Sequence, residues 1–126
     1  MFPQEIEKKN ITVVVIPGLT GGSNKGYVKG LVWYLTKQRG FTTVVVNPRG
    51  VADTELTSAK LTDLNDYSDF LIAMQEVKLR TGEACVGTGL SMGGNILLKM
   101  AGDMKQDFPL QACIVFNSPL DLWKCI

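Results

Sequence analysis

The sequence predicts an α/β domain in which a parallel sheet of about four strands is flanked by helices. Two observations lead to this prediction. Short apolar runs rich in β-branched residues recur along the chain, as expected for strands buried on both faces of a parallel sheet. Segments with apolar residues at helical spacing lie between these runs, and this alternation is typical of helical crossovers on both faces of such a sheet.

The first part of the chain contains two predicted strands with one helix between them. Ile11–Ile16 is β-branched and apolar, and it is followed by Pro17–Asn24, a loop by its glycine and polar content. Val28–Leu35 has apolar residues at helical spacing, and Gly40 is a suitable C-terminal stop. Phe41–Val46 is the second predicted strand.

A polar segment separates the second strand from the second helix. Val51–Lys60 shows no clear period and is predicted to be a loop. The helical pattern after it is predicted to begin near Thr62 or Asp63 and to end at Gly82. Three aspartates near its start are interpreted as a solvated face: Asp63, Asp66 and Asp69.

The last third of the chain repeats the alternation. Cys85–Leu90 is the third predicted strand, Met92–Met104 a helix and Ala112–Phe116 the fourth strand. Only about ten residues follow that strand, beginning with Asn117–Leu122, where another helix and strand could continue the sheet. Residues 1–126 are therefore expected to form a single incomplete domain.

Composition narrows the functional classes. The chain has 126 residues, 20% of them charged, and a net charge of +1, which gives no electrostatic basis for binding nucleic acid. No apolar run approaches the roughly 20 residues of a membrane span, and the N-terminus becomes charged too early for a signal peptide. The three cysteines lack the spacing of metal ligands. Cys85 and Cys113 are expected to be buried reduced thiols, which fits a cytoplasmic or membrane-associated protein facing a reducing compartment.

The most informative motif is G-x-S-x-G at Gly89–Gly93, which lies between the third strand and the following helix. A serine at a sharp strand-to-helix turn projects its hydroxyl from the sheet edge, and the flanking glycines let the two backbones approach closely. Ser91 is therefore the candidate nucleophile, and Gly89 and Gly93 are the candidate elbow glycines. Taken alone, the motif also fits an ordinary glycine turn that happens to contain serine.

A glycine-rich loop follows the first strand at the same expected edge of the sheet. Its backbone N–H groups are suited to an oxyanion hole, and the expected pair is the amide of Met92 with that of Leu19. Nucleotide binding is the competing use of such glycines. The Gly18–Ser23 loop contains no G-x-x-x-x-G-K-[ST], and Gly87–Gly93 misses the dinucleotide fingerprint by one position. No cofactor or metal site is predicted.

Three other residues are given structural roles. Arg49 could bind an acidic ligand, but it is expected to hold its loop by binding backbone carbonyls. Trp33 and Tyr34 are expected to pack against neighbouring elements and not to contact a ligand.

Four segments together resemble the α/β-hydrolase superfamily, and within it the YheT-like, abhydrolase-domain branch of acylglycerol and phospholipid esterases. They are P-G-L-T-G-G-S at Pro17–Ser23, V-N-P-R-G-V-A at Val46–Ala52, Leu56-Thr57, and G-L-S-M-G-G-N-I-L-L-K at Gly89–Lys99. The resemblance implies a partial α/β-hydrolase fold with its nucleophile elbow after the third strand. It also implies hydrolysis of esters with acyl chains through an acyl-enzyme on Ser91, with oxyanion amides from Leu19 and Met92. Membrane association is implied only for longer members, and the oligomeric state stays open.

The chain departs from this family in its proton acceptor. The family's order is serine, then acid, then histidine, and this chain contains no histidine. Asp121 is interpreted as a pocket or turn residue, Lys99 lies too far along its helix to reach Ser91, and a pair with Lys25 is conceivable. We therefore expect these 126 residues alone to be inactive. The alternative is a non-catalytic module that binds an acyl ligand or a partner.

Overall fold

The strands of the chain form one four-stranded parallel sheet, as predicted. A computed structural model describes residues 5–121 and Lys124. The strands are β1 (Ile11–Ile16), β2 (Thr42–Val45), β3 (Ala84–Leu90) and β4 (Ala112–Phe116). The helices are α1 (Gly26–Trp33), α2 (Ser68–Thr81) and α3 (Met92–Met104), with a π-helical turn at Tyr34–Gln38 and a 3-10 turn at Lys105–Asp107.

The order of the strands places β1 and β3 at the centre of the sheet. The order is β2-β1-β3-β4 and every pair is parallel, with Val13 of β1 level with Thr43 of β2 and Val86 of β3. The chain first moves from β1 to one side and then returns past β1 to the other. In open α/β sheets, ligands bind where the order reverses in this way, outside the carboxyl ends of the strands. Here that position is the end of β1 and β3.

The main core lies on one face of the sheet, under α2 and α3. Side chains of β1 that point to this face, Val14 and Ile16, are fully buried against both helices. Right-handed crossovers require this arrangement, because the chain moves in the same direction across the sheet through α2 and α3. The helical members of the core are Phe70, Met74, Val77, Ile96, Leu97 and Met100. The crossover from β1 to β2 runs across the sheet in the opposite direction, so α1 lies on the other face, where Val28 is buried.

Most predicted elements are confirmed, but α2 begins later than predicted. Its first residue is Ser68, not a residue near Thr62 or Asp63. The carboxylate of Asp63 accepts a hydrogen bond from the Asn65 N–H (2.8 Å), and that of Asp66 accepts one from the Ser68 N–H (2.9 Å). Such local bonds stabilise turns in competition with a helix, so the chain stays non-helical until Ser68. At the other end Gly82 adopts a left-handed cap, as its position suggested (φ 62°).

Two expectations about burial are wrong. Trp33 and Tyr34, on α1 and the π-helical turn, are 57% and 48% exposed. Cys85 is fully buried as expected, but Cys113 is only half-buried because β4 is an edge strand. Cys85 and Cys113 are both free thiols. The third cysteine, Cys125, and the last residue of the predicted Asn117–Leu122 segment lie outside the described residues.

Candidate active site

Ser91 occupies a strained turn between β3 and α3. Its backbone angles (φ 52°, ψ −117°) lie outside the regions favoured by residues other than glycine, and such a conformation costs on the order of 1–3 kcal/mol. Surrounding hydrogen bonds hold it in place. The Ser91 N–H donates to the Phe116 carbonyl (2.8 Å), and the Ser91 carbonyl accepts from the Gly94 N–H (3.0 Å) and the Ser118 hydroxyl (2.9 Å). Ser118 was not identified from the sequence.

The two elbow glycines lie where backbones nearly touch. A Cβ on Gly93 would overlap the Ile16 carbonyl oxygen and would lie 2.6 Å from that of Pro17. A Cβ on Gly89 would lie 2.5 Å from the Cα of Gly94. Real Cβ atoms do not come so close to a backbone. A side chain at Gly93 would therefore push the start of α3 away from the end of β1, and one at Gly89 would push it away from β3.

The loop after β1 meets Ser91 at Gly18. A Cβ on Gly18 would lie 3.3 Å from the Ser91 Cβ and 3.9 Å from its Oγ. The next residue, Leu19, opens a tight turn that is closed by the Gly21 N–H donating to the Gly18 carbonyl (2.9 Å). The structure therefore brings Gly18 and Ser91 together and places Leu19 directly after the point of contact.

The amides of Leu19 and Met92 are both available to a ligand. Among the described residues, no hydrogen-bond acceptor is found for the Leu19 N–H. Met92 is the first residue of α3, where a backbone N–H has no partner within the helix and the helix dipole favours negative charge. These two donors are suited to an anionic oxygen beside Ser91.

Strained backbone is concentrated at this edge of the sheet. Of the described residues other than glycine, six have positive φ, and five of the six lie in the loops that follow the four strands. Strain that persists at one edge points to a functional surface. The five residues are Thr20, Ala52, Asp53, Ser91 and Asn117.

A proton acceptor for Ser91 is not identified among the described residues. The chain has no histidine, and no hydrogen bond of the Ser91 hydroxyl is found among the described residues. The Lys99 ammonium lies 2.9 Å from the Asp103 carboxylate, whose hydrogen bond raises the pKa of Lys99, so this lysine stays protonated. No hydrogen bond between the Lys25 and Ser91 side chains is found in the described part of the chain. The Asp121 carbonyl accepts a hydrogen bond from the Lys124 N–H (3.2 Å), and its carboxylate lies 3.3 Å from the Lys124 ammonium.

Burial argues against Cys85 as a nucleophile. Removal from water raises the pKa of its thiol, because the charged thiolate loses solvation. A buried neutral thiol is inert, so Ser91 is the candidate nucleophile of this chain.

Arg49 holds the loop after β2, but not through carbonyls as expected. Its guanidinium binds both carboxylate oxygens of Asp69 in the first turn of α2, with Nη2 2.7 Å from Oδ1. The hydrogen bonds from Arg49 lower the pKa of Asp69 and raise that of Arg49, so both stay charged. Asp69 is thus an ion-pair partner and not simply part of a solvated face. A cavity of about 300 Å³ beside this pair is lined by Asn47 and Thr54–Thr57 and does not reach Ser91.

Residues 5–121 and Lys124 contain neither a candidate metal site nor a candidate membrane span. No cluster of three or more histidine, cysteine or acidic side chains could hold a metal ion there. None of the helices in this part of the chain combines the length and hydropathy that a membrane crossing requires.

Comparison with known proteins finds related sequences over most of the chain. It is 29% identical over 119 residues to the embryogenesis-associated protein EMB8 of Picea glauca, covering 94% of this chain and 26% of that protein. It is 30% identical over 115 residues to phospholipase ABHD3 of Mus musculus, covering 90% of this chain and 28% of that protein. Medium-chain fatty acid ethyl ester synthase/esterase 2 of Saccharomyces cerevisiae is 30% identical over 111 residues, which are 87% of this chain and 25% of that protein. The chain thus spans about a quarter of the length of these curated relatives.

The fold is shared with solved α/β serine hydrolases. XC6422 of Xanthomonas campestris, described as a serine hydrolase without a lid, superposes with a TM-score of 0.69 at 21% identity. The match covers 89% of this chain and 50% of that one. No family model matches the sequence.

Proposed function

This chain belongs to the α/β-hydrolase superfamily and, within it, to the abhydrolase-domain branch, and on that premise we propose that it carries the acyl-accepting part of a serine carboxylic-ester hydrolase. Ser91 is the nucleophile, and the amides of Leu19 and Met92 form the oxyanion hole. The substrates are esters of lipid type, such as acylglycerols or phospholipids. The relative named phospholipase ABHD3 and the yeast esterase support this substrate class.

The observation that carries the proposal is the geometry around Ser91. A serine held in a strained strand-to-helix turn lies beside the loop after β1 at Gly18. Within the described residues, no acceptor is found for the amides that directly follow these two residues, those of Leu19 and Met92. A glycine turn with only a structural role needs neither the strain nor the free amides.

The reaction follows from these positions. The Ser91 oxygen attacks the ester carbonyl carbon while its proton passes to a base, and the carbonyl oxygen becomes an anion that accepts hydrogen bonds from Leu19 and Met92. Collapse of this intermediate breaks the bond to the alcohol, which leaves with a proton, and the acyl group stays on Ser91. Water then attacks the acyl-enzyme, releasing the acid and restoring the hydroxyl. With no histidine in these 126 residues, solvent or buffer must accept the first proton, so acylation by this chain alone is slow.

A fluorophosphonate probe with added imidazole tests the proposal, because imidazole supplies the missing base. We expect slow labelling at Ser91, faster labelling as imidazole is increased, and none in Ser91→Ala. Peptide mapping shows which serine reacts. Folded protein that stays unlabelled in imidazole, or that is labelled equally at exposed serines such as Ser58, would contradict the proposal.

The alternative function is non-catalytic binding of an acyl ligand, and the absence of histidine favours it. In that case a fatty acid or a non-hydrolysable acyl analogue stabilises the chain in a thermal-shift assay, and Ser91→Ala binds equally well. Labelling of Ser91 that depends on imidazole would decide for the esterase.

A further inference from the structure

The side chain of Asn47 joins the loops that follow β1 and β2. Its Oδ1 accepts a hydrogen bond from the Ser23 N–H (2.8 Å), and its Nδ2 donates to the Ser23 hydroxyl (3.1 Å). One amide side chain thus binds both the backbone and the side chain of a residue 24 positions earlier. Ser23 closes the Gly18–Ser23 loop, which begins beside the nucleophile.

The two loops also pack closely next to these hydrogen bonds. A Cβ on Gly22 would lie 2.8 Å from both the Val51 Cγ1 and the Ala52 Cβ, and 3.3 Å from the Asn47 Oδ1. Gly22 is buried. The Gly18–Ser23 loop therefore rests directly on the loop after β2 and follows any displacement of it.

The loop after β2 is itself fixed on its far side. Arg49, two residues beyond Asn47, forms the two-pronged ion pair with Asp69 on α2, and its Nη1 lies 3.4 Å from the Ser58 hydroxyl. Such a fork sets the direction of the guanidinium as well as its distance. The connection from α2 to the Gly18–Ser23 loop runs through Asp69, Arg49 and Asn47.

The loop is thus held at both ends of the turn that presents Leu19. Gly18 lies against Ser91 at one end, and Ser23 is bound by Asn47 at the other. Between them the Gly21 N–H bonds to the Gly18 carbonyl, and Thr20 takes a positive φ of 56°. A turn with this strain needs its ends fixed, because otherwise it relaxes and the Leu19 amide changes direction.

We propose that Asn47 is a positioning residue that aims the Leu19 amide at the oxyanion by fixing Ser23. This inference rests on the proposed function for the use of the Leu19 amide, but the fixing of the loop can be measured independently. Asn47 itself does not touch the reacting atoms. Its amide suits this place because it both accepts from the Ser23 N–H and donates to the Ser23 hydroxyl, which an aliphatic side chain of similar size cannot do.

Three variants and a control separate this role from a general effect on stability. Asn47→Leu keeps the volume but removes both hydrogen bonds. Asn47→Asp keeps the acceptor for the Ser23 N–H and offers a carboxylate to the Ser23 hydroxyl. Ser23→Ala removes only the bond between the side chains. Asn65→Leu is the matched control, since Asn65 lies exposed in a different loop.

The measurements are amide hydrogen exchange at Gly21 and Ser23 by NMR, the rate of fluorophosphonate labelling of Ser91 in imidazole, and the unfolding midpoint. We expect Asn47→Leu to speed exchange at both amides and to slow labelling, each by about tenfold. Asn47→Asp should have exchange and labelling rates close to those of the wild-type chain. Ser23→Ala should change both rates less than Asn47→Leu does, and Asn65→Leu should match the wild-type chain.

Each outcome is decisive. Labelling of Asn47→Leu within twofold of the wild-type rate, or faster exchange at Ser23 with no change at Gly21, overturns the inference. If Asn47→Leu does not fold, the recovery in Asn47→Asp and the graded loss in Ser23→Ala serve as the test. If the wild-type chain is not labelled at all, the proposed function fails, while exchange at Gly21 still shows whether Asn47 fixes the loop.

Discussion

Replacing Gly93 with alanine tests the close contact between the elbow and the end of β1. The added Cβ would overlap the Ile16 carbonyl oxygen. It would also lie 2.6 Å from the Pro17 carbonyl oxygen and 2.7 Å from the Ile16 carbonyl carbon. Ile16 is the last residue of β1, a central strand that pairs with β2 and β3, and Pro17 follows it directly, so this backbone cannot move aside as a flexible side chain could. The start of α3 must move instead, and Ser91 moves with it.

The size of the effect follows from two opposing contributions. Alanine is favoured over glycine in a helix by about 1 kcal/mol, whereas overpacking costs about 1–3 kcal/mol and reaches the upper end against rigid backbone. We expect Gly93→Ala to lower the free energy of unfolding by about 2 kcal/mol. Gly102→Ala in the same helix is the matched control, because a Cβ there meets no atom within 4 Å. Helix propensity alone should raise its stability by about 1 kcal/mol.

Urea unfolding followed by circular dichroism measures the difference directly. A gap of about 3 kcal/mol between the two variants corresponds to roughly 1.5 M urea at a slope of about 2 kcal/mol/M. Gly93→Ala should also lose imidazole-dependent labelling of Ser91, and Gly102→Ala should keep it. Equal midpoints for the two variants would show that the contact with β1 does not constrain the elbow.

Three further predictions concern the rest of the fold. The Thr12 hydroxyl donates a hydrogen bond to the Glu83 carboxylate (2.7 Å) and thereby lowers the pKa of Glu83. This bond therefore stabilises the fold above about pH 4.5, the pKa of Glu83 in the unfolded chain, and the stabilisation is lost as the pH falls from there through the folded-state pKa. Glu83→Gln should therefore lose less stability than the wild-type chain between about pH 6 and pH 3 in urea titrations, and an equal loss would contradict this. Arg49→Lys replaces a two-pronged contact with Asp69 by a single one and should lower the urea midpoint slightly, because about a third of each side chain is exposed to solvent. An unchanged midpoint would refute the role of the fork. Ile114 is 60% exposed on the edge strand β4, so we expect the chain to aggregate through this edge. Ile114→Lys should reduce light scattering without loss of stability, and a monodisperse wild-type chain would count against this.

Local pattern was enough to predict the elements whose ends are marked by composition. The bounds of β1 (Ile11–Ile16), α3 (Met92–Met104) and β4 (Ala112–Phe116) agree with the prediction, because an apolar run or a helical period stops abruptly at each end. The start of α2 could not be found in this way. Its apolar period continues upstream through Leu64 and Tyr67, which do contact the core but from a turn and not from a helix.

Side-chain contacts between residues far apart in the sequence could not be predicted from local patterns. Arg49 has many acceptors within range in principle, and only the packing of α2 selects Asp69, 20 residues away. The same holds for the bonds from Asn47 to Ser23. A polar residue directly after a buried strand was a usable signal for Asn47, since strand exits meet at one edge of a parallel sheet. For Trp33 and Tyr34, helical spacing showed apolar character but not which side the sheet covers.

The geometry of Ser91 and its activation depend on different parts of the molecule. The strain at Ser91 costs on the order of 1–3 kcal/mol. Three hydrogen bonds of its backbone contribute about 1 kcal/mol each: the Ser91 N–H donates to the Phe116 carbonyl, and the Ser91 carbonyl accepts from the Gly94 N–H and the Ser118 hydroxyl. These magnitudes are comparable, so α3, β4 and the segment that follows β4 suffice to hold the elbow without a catalytic base. The Ser91 hydroxyl makes no bond among the described residues, and so none of the stabilisation of the turn depends on its proton acceptor. A base added from solution should therefore meet a serine that is already in place, which is why imidazole is expected to change the rate of labelling and not the stability of the fold.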